Sequence, residues 1–354
     1  MKSTTCCFLA LILATSGCVR NQLGPRTIPT ARLDYNSAIS RSWDEDLLLN
    51  VVRLQYRDSP LFVDVSSVTA SYGLGRSASV GVTKNGGVPA DVAFGAGLSF
   101  SENPVIGYTY LHGEGFARGL LSPLAPAVLE ELAQSGWSIE RLLLCCVQSI
   151  NGIQNAVAAA GPTPTYVPEY ETFQRIAGLF RRLQLAGHAI AEQQADGRMV
   201  VYLKARAGPE GDEVRSLLSL DRDAERFEVV PSRRAQLPTQ IAIQGRSLLA
   251  VMFFLSQAVD VPKVHREAGK VTVTRDAAGN EFDWARVVGP LMRIHSGTGR
   301  PDQAAVRVEF RDHWFWIDDN DLNSKTTFAL LRLLLFLKSG ESQGASPLVT
   351  IPVR

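Results

Sequence analysis

YGLGRSASVGVTKNGGVPADVAFGAGLSF, residues 72–100, alternates two kinds of side chain with a regularity found nowhere else in the chain. On its first limb Tyr72, Leu74, Ala78, Val80 and Val82 alternate with Gly73, Gly75, Ser77, Ser79 and Gly81, and Arg76 interrupts the apolar side. On its second limb Val92, Phe94, Ala96, Leu98 and Phe100 alternate with Ala93, Gly95, Gly97 and Ser99. A period of two places successive side chains on opposite faces of a strand, so each limb has one apolar face and one face of small residues. Asn85-Gly86-Gly87 lies between the limbs and supplies the positive backbone dihedrals of a hairpin turn. Each limb has about 10 residues, the length that crosses a bilayer as a tilted strand. Two readings follow. In one, the hairpin is half-buried on a folded core. In the other, Val80, Val82, Val92, Phe94, Leu98 and Phe100 face lipid, and a single hairpin per chain closes its edges only by joining copies into a barrel. The second reading resembles, in architecture and not in sequence, pore-forming outer-membrane lipoproteins such as the curli secretion channel.

Outward from this hairpin, helices and strands mix. Before it, Ser42-Trp43-Asp44-Glu45 has capping-box spacing, and Trp43, Leu47, Val51 and Leu54 recur at helical intervals, which predicts a helix over 42–57. Asp58-Ser59-Pro60 stops it, and LFVDVSSVTASY (61–72) reads as a strand. After Asn103-Pro104 comes a separate short strand, VIGYTYL (105–111). A helical region over 116–157 follows, broken at Pro123 and Pro126, with Ser138, Leu142, Cys145, Cys146 and Ile150 on the buried side of its last helix. The Gly- and Pro-rich loop AAAGPTPTYVP (158–168) marks a boundary between two lobes, 32–160 and 168–354. The second lobe opens with a helix over 169–186, then a hairpin HAIAEQQ/RMVVYLKA joined through Asp196-Gly197. A helix at 210–218 and strands at 226–230 and 240–244 lead to RSLLAVMFFLSQAV (246–259), apolar nearly all round and therefore a central buried helix. Strands VRVEF (306–310) and WFWID (314–318) and a final helix complete an α+β fold of mixed helices and antiparallel hairpins.

The search for chemistry yields little. No HExxH, GxSxG, phosphate loop or paired CxxC is present, and the five histidines are dispersed. Asp319, Asp321 and Asn323 open like a calcium loop, but Ser324 and Leu330 stand where that loop needs Gly and Glu, so Asp321 or Asn323 capping the next helix is the better account. Cys145 and Cys146, amid Leu142, Leu143, Leu144 and Val147, read as buried inert thiols. No catalytic residue, metal site or cofactor is expected. A hydrolase acting on cell-wall polymer would draw on His112, Glu114, His313 and Asp319. Trp314 and Trp316 share one face of their strand, with Phe315 on the other, and form a candidate partner surface.

The N-terminus addresses the chain. Lys2 followed by the apolar run Phe8–Ala14 has the layout of a secretory signal over residues 1–17. Thr15-Ser16-Gly17-Cys18 resembles the lipobox of bacterial lipoproteins, which implies lipid on Cys18, and Val19 rather than Asp implies sorting to the outer membrane, facing the periplasm. Residues 18–31 then form a tether, with Gly24, Pro25 and Pro29 and no helical period. With 36 basic against 35 acidic residues the chain lacks the charge that a nucleic-acid partner requires. LLLNVVRLQYRDSPLFVDVSSVTASYGL, QSINGIQN, FDWARVVGPLM and WFWIDDNDLNSKTTFALL are together similar to a set of uncharacterised bacterial envelope lipoproteins, a resemblance that implies one architecture from residue 32 onward and no activity. The expectation is a lipid-anchored, non-enzymatic binding or assembly component, partnered by an envelope protein or by itself. An export pore built on 72–100 is the alternative, and a cell-wall hydrolase the third.

Overall fold

The computed structural model describes residues 28–83, 91–160 and 166–340, and its elements are α+β. By contacts it divides in two: Phe62–Leu111 form one unit, and the described residues up to Leu61 together with those from His112 form the other. The expected boundary at 158–168 falls inside the larger unit. Strands from before that loop pair into the same sheet as strands from after it.

The smaller unit is a single antiparallel hairpin of β1 (Val63–Thr83) and β2 (Asp91–Tyr110). The separate strand expected at 105–111 is the root half of β2, and the strand expected at 61–72 is the root half of β1. Asn103-Pro104 does not break β2. Pro104 pairs with Ala70 in the outermost ladder of a two-stranded sheet, where a missing N–H is tolerated.

The larger unit begins with α1 (Ile28–Gln55), which starts well before the expected cap at Ser42. That serine sits mid-helix, and Asp44, expected to open the helix, ion-pairs Arg332 at 2.8 Å. Three helices follow, α2 (Glu114–Leu121), α3 (Pro126–Gln134) and α4 (Ile139–Cys146); the first break falls at Pro123 and Pro126 as expected, the second at Ser135-Gly136, with Gly136 at positive φ. The last stops earlier than the pattern suggested. Val147–Ile150 become β3, paired with the short β4 (Ile153–Gln154), because Ile150 is buried as well by period two as by period 3.6.

A six-stranded sheet has the order β4-β3-β8-β7-β6-β5, with β5 (Ala189–Gln193), β6 (Met199–Leu203), β7 (Arg226–Val230) and β8 (Gln240–Gly245). Only the β7–β8 pair is parallel, so the sheet is mixed. Its core includes Phe227, Ile241 and Ala242, with Phe173, Ile176 and Leu183 from α5 (Glu171–Leu185); α6 (Gly208–Leu218) packs against α5. Gly245 ends β8 where no side chain fits, since a Cβ there would lie 2.1 Å from the Leu124 carbonyl oxygen. The apolar run becomes α7 (Leu248–Ser256), capped by Ser247, and it packs against α1, α2 and α4 and is central as expected.

After the short helices α8 (Lys263–Glu267) and α9 (Ala285–Val288), a three-stranded antiparallel sheet has the order β10-β11-β9. Its strands are β9 (His295–Gly297), β10 (Ala304–Phe310) and β11 (His313–Asp318), joined at Arg311 and Asp312, both at positive φ. Such a two-residue turn matches strand twist. α10 (Leu322–Gly340) closes the fold, with Asp321 accepting from the Ser324 amide at 3.0 Å as its cap.

Candidate functional site

The hairpin is the feature with the least local reason to exist. Each strand has about 20 residues, so at about 3.4 Å per residue the ribbon extends for about 68 Å, twice a bilayer's hydrocarbon thickness. Among the described residues no third strand pairs with either edge. Isolated two-stranded ribbons are marginal in water, and both outer edges leave alternate N–H and C=O groups without a ladder partner.

Register gives the ribbon its two faces. Val82 pairs with Val92, Val80 with Phe94, Arg76 with Leu98 and Leu74 with Phe100, so the apolar alternations of the two limbs are in phase. Offset from these, Gly81 pairs with Ala93, Ser79 with Gly95, Ser77 with Gly97 and Gly75 with Ser99. A one-residue slip would mix the faces. Serine opposes glycine for a steric reason. A Cβ on Gly95 or Gly97 would stand 2.7 Å from the Oγ of Ser79 or Ser77. Ser77, Ala78 and Ser79 are all exposed, so both faces are uncovered at this level of the ribbon. The backbones of Val80, Val82, Val92, Phe94, Leu98 and Phe100 take these register positions; their side chains lie outside the described residues, as does Cys18.

A second candidate is the outer face of the three-stranded sheet. Phe315 and Ile317 point into the core while Trp314 and Trp316 are half-buried on the other side, as period two requires. The Arg300 guanidinium stands 5.6 Å from the Trp314 ring centre. Trp316 stacks on His295 at 5.6 Å, and its Nε1 donates to Asp318 Oδ1 at 2.7 Å. His295 is held on both sides, Nε2 lying 3.2 Å from Asp318 and Nδ1 3.7 Å from Asp260. Two carboxylates and the Trp316 ring thus fix the orientation of this imidazole on the sheet. Beside the sheet, a groove of about 680 Å³ runs between α1 and β10 and is lined by Ser40, Arg41, Asp302 and Arg307 among others.

The residues nominated for hydrolysis are not brought together. Glu114 is exposed and pairs with Arg118 within α2, Asp319 pairs with Lys325, and His313 packs on His265; no hydrogen bond or ion pair joins any two of the four. Among the described residues no group of three or more His, Cys, Asp or Glu is placed to hold a metal ion. No described helix is long and apolar enough to cross a membrane.

Cys145 and Cys146 are fully buried, and a basic residue that sequence proximity could not reveal lies beside them. Arg246, 0% exposed, donates to the carbonyl oxygens of Leu144 and Cys145 at 2.8 and 3.0 Å and to that of Asn155. The Leu144 and Cys145 carbonyls are orphan acceptors of the α4 C-terminus, where a cation is favourable. Desolvation still dominates the thiols: burial pushes Cys145 up to about 12, against the opposing pull of Arg246 and Arg141. The thiolate needed for a nucleophile is absent at neutral pH.

Comparison with known proteins returned no matching family model, no matching curated protein and no matching solved structure.

Proposed function

We propose that the chain is an envelope assembly component whose principal partner is further copies of itself, the hairpins of several copies pairing edge to edge into a closed membrane barrel. One observation carries this reading: a ribbon of strands about 20 residues long with apolar and small-residue positions in register, and no third strand among the described residues to cover its edges. Joining β2 of one copy to β1 of the next is antiparallel, gives an even strand number and removes every edge. The tip half, 72–83 and 91–100, supplies about 10 residues per strand for the bilayer. Export by residues 1–17 and lipid on Cys18 would hold each copy at the outer membrane before assembly, and triacylation exceeds the two chains that stable attachment needs.

Light scattering of the detergent-extracted mature protein, beside a form beginning at Val19 prepared without detergent, tests the reading. Large detergent-stable rings are expected for the first. A monomer or dimer in both preparations overturns it.

A different observation favours a docking role: Trp314 and Trp316 stay half-exposed on an ordered sheet face, and rigid aromatic pairs are common anchors at protein interfaces. Trp314→Ala with Trp316→Ala would then release an envelope protein captured by cross-linking without changing ring size.

A further inference from the structure

Where α1 ends, the chain runs through Tyr56–Leu61 into the hairpin, and this short segment is held by a few identifiable contacts. Arg57 adopts φ +62°, and the amides of Tyr56 and Asp58 both return to the Arg53 carbonyl, closing the helix. Asn50 takes the Leu61 amide at 2.8 Å and donates to the Leu61 carbonyl at 2.7 Å. Asp58 pairs with Arg311 at 3.1 Å. Tyr56 is buried with its ring against Phe310 and Phe315, and Arg311 lies 5.0 Å over that ring.

The Tyr56 hydroxyl is 2.7 Å from Nδ1 of His265, a histidine 3% exposed on α8. The charges around this imidazole are unbalanced. His313 packs on it edge-on at 4.7 Å, Lys270 and Arg311 stand near, and Asp312 is the carboxylate that acts in its favour. We propose that the Tyr56–His265 contact is a pH-sensitive latch on the segment that leads from α1 into the hairpin, shut while the imidazole is neutral and loosened when it is charged.

The neutral ring with Nδ1 unprotonated accepts the tyrosine proton. A charged ring carries protons on both nitrogens, so the hydroxyl must turn round, and a cation is added among Lys270, His313 and Arg311. Tyr56 does not answer it as an anion, because burial pushes the phenol up to about 12 despite Arg311. Burial, then Lys270, His313 and Arg311, hold His265 below the ordinary histidine value. The open segment therefore binds the proton more readily than the closed one. Closure is fully favoured above pH about 6.5 and weakens as pH falls toward the lower value of the closed state.

Amide hydrogen exchange on the full mature protein between pH 5 and 8, corrected for intrinsic rates, reads this directly. Protection at Tyr56, Arg57, Asp58 and Leu61 should fall by up to tenfold per pH unit below about 6.5 and then level off, while Val251 in α7 holds its protection. Lys270→Gln, at an exposed position, should shrink the response, and His265→Gln should abolish it while keeping an acceptor for Tyr56. The proposal is overturned if the four amides ignore pH, if Val251 loses protection in parallel, or if the response survives in His265→Gln.

Discussion

Arg246 is a charge held inside the protein by carbonyl oxygens, with no carboxylate among the described residues hydrogen-bonded to it. Burial draws its pKa down to about 10, which leaves the guanidinium protonated at neutral pH, and its Nε has no partner. Its face lies 3.9 Å over Phe254, so cation–π attraction supplements the three carbonyls. Arg246→Ala should cost about 3–5 kcal/mol, since it strands buried acceptors at the end of α4, and a chemical denaturation midpoint measures it. Arg246→Met, nearer in volume, should lose less. The inertness of Cys145 and Cys146 was legible in their apolar neighbours, but the arginine was not. Its partners are about 100 positions away in the chain, and no local pattern marks a cation that caps a helix from another element. The Asp321 cap was legible because a cap is three residues long.

At the scale of elements, the hairpin was legible in position and faces yet not in length. Alternation beyond 72–100 is interrupted by the bulge between Val65 and Ser67 and by Pro104, so the root halves read as separate strands. Helix α1 was shortened for the opposite reason: Ser42 offered a local capping signal that the longer helix overrides through Asp44 and Trp43, which meet Arg332 and Phe336 of α10. The sequence of β3 reads as helix because a short apolar run fits either period. The serine–glycine opposition in the ribbon invites a swap experiment. Gly97→Ser alone crowds Ser77 and should weaken ring assembly by about 0.5–1.5 kcal/mol, the cost of a displaced rotamer. Adding Ser77→Gly should restore it, with ring fraction by light scattering as the readout.

For the whole molecule, the two units imply that the larger one folds without the ribbon. The ends of the insertion lie together, the Leu111 amide donating to the Phe62 carbonyl at 2.9 Å. Replacing Phe62–Leu111 with a short Gly-Ser linker should leave a cooperative thermal transition by circular dichroism and a monomer by light scattering, in detergent as well. The α+β class was readable from periodicity, but the division into units was not. A Gly- and Pro-rich loop at 158–168 looks the same in sequence whether it separates lobes or crosses one, and only the pairing of β3 with β8 decides. The contact between Tyr56 and His265 spans 209 positions, and the ion pair of Asp44 with Arg332 spans 288. Helix α1 therefore finishes its core with residues such as Arg332, made 288 positions after Asp44. During synthesis α1 emerges before those partners and waits, its apolar side uncovered, until they follow; the larger unit completes its core only after most of its own sequence has been made. The ribbon adds little to that delay, because lengthening so large a loop by about 50 residues raises its closure cost by only about 0.2 kcal/mol.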